Sequence, residues 1–230
     1  MKFMKKLQLT LMLCLIGAIS LAQSKENREL SPFSKIKVGQ AIKVHIEQGA
    51  KESCAIETEG IDTRYVITDV SGRTLRIRLD QDRRWRNIDV VVYLTYKDID
   101  AISISSAARV YSKNVVKTDE MEIDVSSAGS GELEVDVDEL EIDISSSGNL
   151  EITGNARYQD IQVSSAGSLN AYDLVCEEVS ASVSSAGKAK VQASKRIDAR
   201  ANSAGSIRYK GNPDKAYVSA NSGGSIRRAN

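Results

Sequence analysis

The chain has 230 residues, with 31 basic and 31 acidic side chains, a formal net charge of zero, 41% apolar residues and 5% aromatic ones. This balance suits one or two globular domains and argues against a general binder of nucleic acid or membrane surfaces, which would carry a marked excess of positive charge. So few aromatics leave no large aromatic core and no evident platform for stacking sugars.

Residues 1–22 combine a basic start (Lys2, Lys5, Lys6), an apolar run from Leu7 to Ile19 and a small-residue end at Ser20-Leu21-Ala22. They read as a Sec signal peptide cleaved after Ala22. Cys14 has no small-residue lipoprotein site before it, so no lipid anchor is expected, and no other apolar stretch approaches the ~18 residues of a membrane span. The mature chain is expected to be exported. Its two cysteines, Cys54 and Cys176, have no diagnostic spacing; a disulfide and two separate buried thiols both remain open.

From residue 23 to 100 short apolar alternations succeed one another: Ile36/Val38, Ile42/Val44/Ile46, Leu75/Ile77/Leu79 and Val90/Val92/Leu94. They predict strands, separated by Gly39, Gly49, Gly60 and Ser71-Gly72. Gln81 to Asn87, with Arg83, Arg84, Trp85 and Arg86, breaks the pattern and predicts an exposed loop. This N-terminal lobe is expected to cover the first coil of the C-terminal half.

Residues 101–230 are a repeat. A small tetrapeptide recurs at Ser105-Ser-Ala-Ala108, Ser126-Ser-Ala-Gly129, Ser145-Ser-Ser-Gly148, Ser164-Ser-Ala-Gly167, Ser184-Ser-Ala-Gly187, Asn202-Ser-Ala-Gly205 and Asn221-Ser-Gly-Gly224, at intervals of 21, 19, 19, 20, 18 and 19 residues. Alternating apolar residues lead into each one (Ile123/Val125, Ile142/Ile144, Ile161/Val163), and a second alternation comes after it, led by Val110, Leu133, Leu150, Leu169, Ala189, Ile207 and Ile226. Strand, tight bend, strand, at one short period and without helical spacing, predicts a parallel β-solenoid of about seven coils stacked at ~4.8 Å. The bend is expected to turn Ser127, Ser146, Ser165, Ser185 and Ser203 inward as a ladder of hydroxyls. Gly129, Gly148, Gly167, Gly187 and Gly205 are expected to supply the positive φ. The serines read as structural: a nucleophile needs a base beside it, and the one histidine, His45, lies far upstream.

Two charge features remain. Asp119 to Asp143 holds eleven carboxylates and no Lys or Arg. In the solenoid register Glu122, Glu141 and Asp160 stack in one outward column and Asp124 on Asp143 in the next, which suggests either Ca²⁺ bound there or a face screened by water and salt. Lys188, Lys190, Lys195, Arg196, Arg200, Arg208, Lys210, Lys215, Arg227 and Arg228 load the last coils, so the neutral chain is banded. Inward residues shrink toward the end, to Ala199, Ala201 and Ala220.

The signal peptide, Phe33-Ser-Lys-Ile36, Ile42-Lys-Val-His-Ile46, the repeated Ser-Ser-Ala-Gly corners and Ile207-Arg-Tyr-Lys-Gly-Asn-Pro213 together resemble the GIN domain family, described as auto-transporter adhesin heads of Bacteroidetes. Ala108 departs from the corner pattern and leaves its turn type open. The resemblance covers nearly all of residues 31–228. It implies a right-handed parallel β-helix, a place in a Gram-negative envelope (periplasm, outer surface or secreted) and an adhesin role, and it transfers no catalytic residues. The expectation is a non-enzymatic binding protein with no cofactor, taking an extracellular or envelope glycan or protein and able to form a homo-oligomer. The alternatives are a carbohydrate-active β-helix enzyme and a scaffold that assembles through its coil ends.

Overall fold

The computed structural model describes residues 24–229; the expected signal peptide lies outside them. Among the described residues there is no α-helix, only a one-turn 3-10 helix at Thr63–Tyr65 and nineteen strands. The first seven are β1 (Ser24–Glu29), β2 (Lys35–Val38), β3 (Lys43–Gln48), β4 (Ser53–Glu59), β5 (Val66–Ser71), β6 (Thr74–Leu79) and β7 (Asp89–Tyr96). The repeat supplies β8 (Ala101–Ile104), β9 (Arg109–Ser112), β10 (Val116–Val125), β11 (Ser130–Ile144), β12 (Asn149–Val163), β13 (Ser168–Asn170) and β14 (Leu174–Val183). It closes with β15 (Lys188–Gln192), β16 (Arg196–Ala201), β17 (Ser206–Lys210), β18 (Lys215–Ala220) and β19 (Ser225–Arg228).

The repeat is a parallel β-solenoid. On the face that leads into the tetrapeptide, β8, β10, the second halves of β11 and β12, then β14, β16 and β18 pair in parallel and in register, as in Ile123↔Ile142↔Ile161↔Ala181↔Ala199↔Val218. On the face beyond it, β9, the first halves of β11 and β12, then β13, β15, β17 and β19 do the same. A third face runs through Val116↔Val135↔Gly154↔Leu174. It joins the pre-corner face where two successive residues point outward, as at Asp138 and Glu139, so that the alternation slips by one. Gly131, not Leu133, shares the inward column of Val110 and Leu150; a side chain there would press on Leu150 Cδ1 at 2.8 Å.

The bend is a tight turn whose second and third residues both have positive φ, as at Ser127 (50°) and Ala128 (60°). The Gly129 amide closes it by donating to the Ser126 carbonyl at 2.8 Å. This corrects two expectations. The glycine does not have positive φ; it is needed because a Cβ at Gly129 would lie 2.6 Å from the Ile104 carbonyl oxygen of the coil below, and one at Gly148 2.5 Å from that of Val125. Nor do the serines point inward: Ser127, Ser146, Ser165, Ser185 and Ser203 are exposed, and it is the glycine that is buried. The ladder that exists is made of backbone. The Ala107 amide donates to the Ser127 carbonyl, Ala128 to Ser146, Ser147 to Ser165, Ala166 to Ser185, Ala186 to Ser203, each at 3.0 Å. Backbone rungs hold the left-handed residues in place at every coil, offsetting a cost of about 1 kcal/mol or more for each.

The N-terminal region both joins and closes this stack. Gly39-Gln40-Ala41-Ile42 is an eighth corner, with φ of 61° at Gln40 and 59° at Ala41, and the Ala41 amide donates to the Ser106 carbonyl at 2.9 Å. Its coil, β2 and β3, lies between β8/β9 above and β6/β7 below, all parallel. Chain order and stacking order therefore differ. Below it the solenoid ends in antiparallel strands, β5 on β6 and β4 on β7, with β1 on β4. Ser71-Gly72-Arg73-Thr74 is a hairpin turn with positive φ at Gly72 and Arg73, and the loop after β6 takes the place of a corner. The Leu79 amide there donates to the Gln40 side chain at 2.6 Å. Arg28 fastens β1 across the bottom, donating to the carbonyls of Val66 and Thr63 and to Thr68. These strands cover the lower edges of β6 and β7, on which other chains could otherwise pair.

One continuous apolar core runs from Phe33 to Ile207. Its inward column narrows from Ile104, Ile144 and Val163 to Ala201, and in the last coil Val218 is 52% exposed because no coil covers it.

Candidate functional site

Outward residues on the pre-corner face fall into straight columns because each coil repeats the register of the one below. One reads Arg76, Lys37, Ser103, Asp124, Asp143, Gln162, Ser182, Arg200; the next reads Lys35, Ala101, Glu122, Glu141, Asp160, Ser180, Asp198, Tyr217. The stacking of Glu122 on Glu141 and Asp160, and of Asp124 on Asp143, is the one read from the sequence.

The first column lines one open groove and the second lines another beside it. A hollow of about 500 Å³ lies beside the corner, with Lys37, Arg76 and Arg78 at the capped end, Ser103, Ser105, Ser126 and Ser145 along it, and Asp124 and Asp143 at the far end. A second, of about 440 Å³, holds Lys35, Asp100, Glu122, Glu141, Tyr158 and Asp160, and a third, of about 560 Å³, lies over Arg196, Arg200, Tyr217 and Ser219. All three are on this one face. Cationic, hydroxyl and anionic groups thus succeed one another along it at the coil spacing of ~4.8 Å.

The electrostatics come from the stacking. Burial, and then the Asp124 and Asp160 carboxylates beside it, raise the Asp143 carboxyl above the ordinary range. Asp124 accepts a bond from the Ser103 hydroxyl at 3.3 Å, and Lys35 Nζ approaches Glu122 at 3.7 Å. Among the described residues no group of three or more His, Cys, Asp or Glu side chains converges as a metal site would require.

The histidine and the two cysteines lie elsewhere. His45 is on the post-corner face, its ring stacked between Tyr93 (5.4 Å) and Tyr111 (5.1 Å), and burial, with Lys113 and Lys43 nearby, lowers its pKa. This aromatic ladder was not visible in the sequence, since its three members are 18 to 66 residues apart; only β3 pairing with both β7 and β9 brings them together. Cys54 and Cys176 are unpaired and buried, and burial pushes their thiols up to about 11 and about 12. Tyr65 and Trp85 meet at 5.0 Å beside the arginine loop, with Arg83 over the tyrosine ring at 4.7 Å.

The family's sequence profile, described as "Putative auto-transporter adhesin, head GIN domain", matches residues 32–213. The chain belongs to the GIN-domain family. No curated protein matches it. Among solved structures it is similar to a putative adhesin from Bacteroides fragilis (TM-score 0.82, 22% identity, 91% of this chain and 98% of that one). It is similar also to a putative lipid binding protein from Parabacteroides distasonis (0.72, 20%, 92% and 98%) and a putative adhesin from Parabacteroides merdae (0.73, 19%, 92% and 98%). At these identities the likeness shows the shared fold. The GIN-domain profile ends before β18 and β19, so the last coil lies beyond the matched span.

Proposed function

We propose that this GIN domain is an exported, non-enzymatic, adhesin-like protein of the cell envelope that takes a glycan or an extended protein segment along its pre-corner face. The observation that carries this reading is the groove itself: a rigid trough with charge of both signs and a row of hydroxyls at fixed spacing. Such a trough offers hydrogen-bonding partners to an elongated polar ligand and asks for no rearrangement of the backbone.

One observation favours a second reading. Asp143, with its raised pKa, sits one coil from Asp124 in the same groove, and a carboxyl pair separated by about 5 to 9.5 Å with one member held protonated is what glycoside hydrolysis uses. Against it, the groove is open, and the two carboxyls stand in one outward column and do not face each other across a cleft that would hold the sugar between them.

Binding of the mature chain to a glycan array, in parallel with an Arg76→Gln/Asp124→Asn variant, tests the first reading. Retained glycans that the variant releases are the expected result; an array bound equally by both would overturn the groove as the site, and one left blank by both would overturn the glycan as its ligand. Hydrolysis of an acidic polysaccharide that is lost in Asp143→Asn would establish the second reading instead.

A further inference from the structure

We propose that the last three coils carry a separate site, on the post-corner face, for a linear polyanionic glycan lying along the solenoid axis. The proposal deepens the adhesin-like reading and rests on it only for the class of ligand.

The site is a column of cations fixed by the backbone. β15, β17 and β19 pair in parallel with Lys190↔Arg208↔Arg227 in register, so each coil places one positive charge directly over the next, ~4.8 Å apart. Ala189, Val191 and Ile207 point into the core from the alternate positions, which leaves Lys188, Lys190 and Arg208 no choice but to face outward. Lys188 begins the same strand as Lys190, and Lys210 flanks Arg208 two residues on. Among the described residues Lys210 meets one carboxylate, Asp173 at 3.1 Å, whereas Lys188, Lys190, Arg208 and Arg227 come within ion-pair distance of none. The Lys190 and Lys210 ammoniums lie over the Tyr172 ring at 5.6 and 5.4 Å, which restrains both side chains before any ligand arrives.

Three like charges stacked at this spacing repel one another, and the column gives them little relief from within: below Lys190 it continues as Asn170, and only then as Glu151. A chain carrying one carboxylate or sulfate per residue would turn the repulsion into attraction at every rung and would release counterions as it did so. Recognition by such a ladder needs no cavity, only a matching period. Of the rings nearby, Tyr209 packs partly against the core and Tyr172 has two ammoniums over it, which compete with any nucleic-acid base for stacking. The chain's own acidic columns, Glu122 to Asp160, have the same pitch, so a second copy is the competitor to be tested.

The test is binding of the full mature chain to oligogalacturonates and to chondroitin sulfate oligosaccharides of graded length, by calorimetry, at about 50 and 200 mM salt. Affinity for one or both is expected to climb with length until the oligomer spans the three rungs, roughly 10 Å, then to level, and to fall with salt. Lys190→Gln/Arg208→Gln should weaken it at least about tenfold, or 1.4 kcal/mol, with circular dichroism and melting unchanged. Lys117→Gln/Arg157→Gln, exposed cations outside both the groove and the ladder, should bind as the unmodified chain does. The ladder is overturned if the methyl-esterified galacturonates bind equally, if the double variant retains affinity, or if single-stranded DNA of equal charge binds more tightly. It is equally overturned if the double variant abolishes a salt-sensitive self-association that the glycans do not compete with. If only the groove variant loses the glycan, the ladder falls while the groove reading stands.

Discussion

The fourth residue of the corner is glycine from Gly129 to Gly224, yet in the two lowest corners it is Ile42 and Ala108, both buried. The turn type is the same, since Ser106 and Ala107 have φ of 52° and 61°. What differs is how closely the turn is drawn. In the upper coils the fourth amide sits 2.8 Å from the first carbonyl, while at Ala108 the distance is 3.0 Å, and the lower coils rest on a cap of a different construction. A repeat can relax one contact where it meets something other than itself. In mid-stack, where each corner is clamped between two identical ones, it cannot.

The largest expected effect breaks that comparison directly. Gly205→Ala places a Cβ 2.4 Å from the Val183 carbonyl oxygen, and should cost about 3 kcal/mol or more in urea denaturation. Ala108→Gly, which removes a methyl from a corner that already accommodates one, should cost only about 1 kcal/mol. Equal losses would show that position along the stack does not matter. The cap is held by fewer, more individual contacts. Arg28→Ala should cost about 2 kcal/mol, leaving the Val66 and Thr63 carbonyls without their charged donor; limited proteolysis should then release β1 before any coil is cut.

The stack also carries a flaw that the cap does not explain. Gln159 is fully buried between Leu140 and Val179, and neither of its amide atoms finds a partner. Gln159→Leu is expected to stabilise by about 1 to 2 kcal/mol, seen as a higher melting temperature.

The smallest effect separates the two regions by pH. His45, in the lowest coil, has a lowered pKa, so the unfolded chain binds its proton first, and stability is lost as pH falls below about 6.5 toward the folded value. Asp143, in mid-stack, has a raised pKa. Its contribution is fully present below about 3.9 and is lost as pH rises through the folded value. Acidification should therefore first weaken the protein through His45, an effect absent in His45→Gln, and later relieve it through Asp143, an effect absent in Asp143→Asn. Melting curves across pH for the two variants check both signs.

Much of this was legible in the residues. Alternation and a constant interval gave the solenoid, its register and the acidic columns, because in a parallel stack equal spacing along the chain becomes adjacency in space. The lowest corner was hidden because Gly39-Gln-Ala-Ile42 shares no small-hydroxyl signature with the others; the cue was Val44 standing five residues after its start, as Val110 and Leu150 stand after theirs. The basic end of the groove was not legible, since Lys37, Arg76 and Arg78 reach it only through the pairing of β2 with β6 and β8.

By itself the sequence determined the period, which residues of the pre-corner strands face the core and which acidic residues share a column, all of them consequences of strand geometry and repeat length. Only the tertiary structure decided that the corner serines face water, that the first coil is threaded between later segments, and that His45 stacks between two tyrosines. Those outcomes turn on backbone dihedrals and on pairings between distant strands, and the local pattern of side chains does not encode either one.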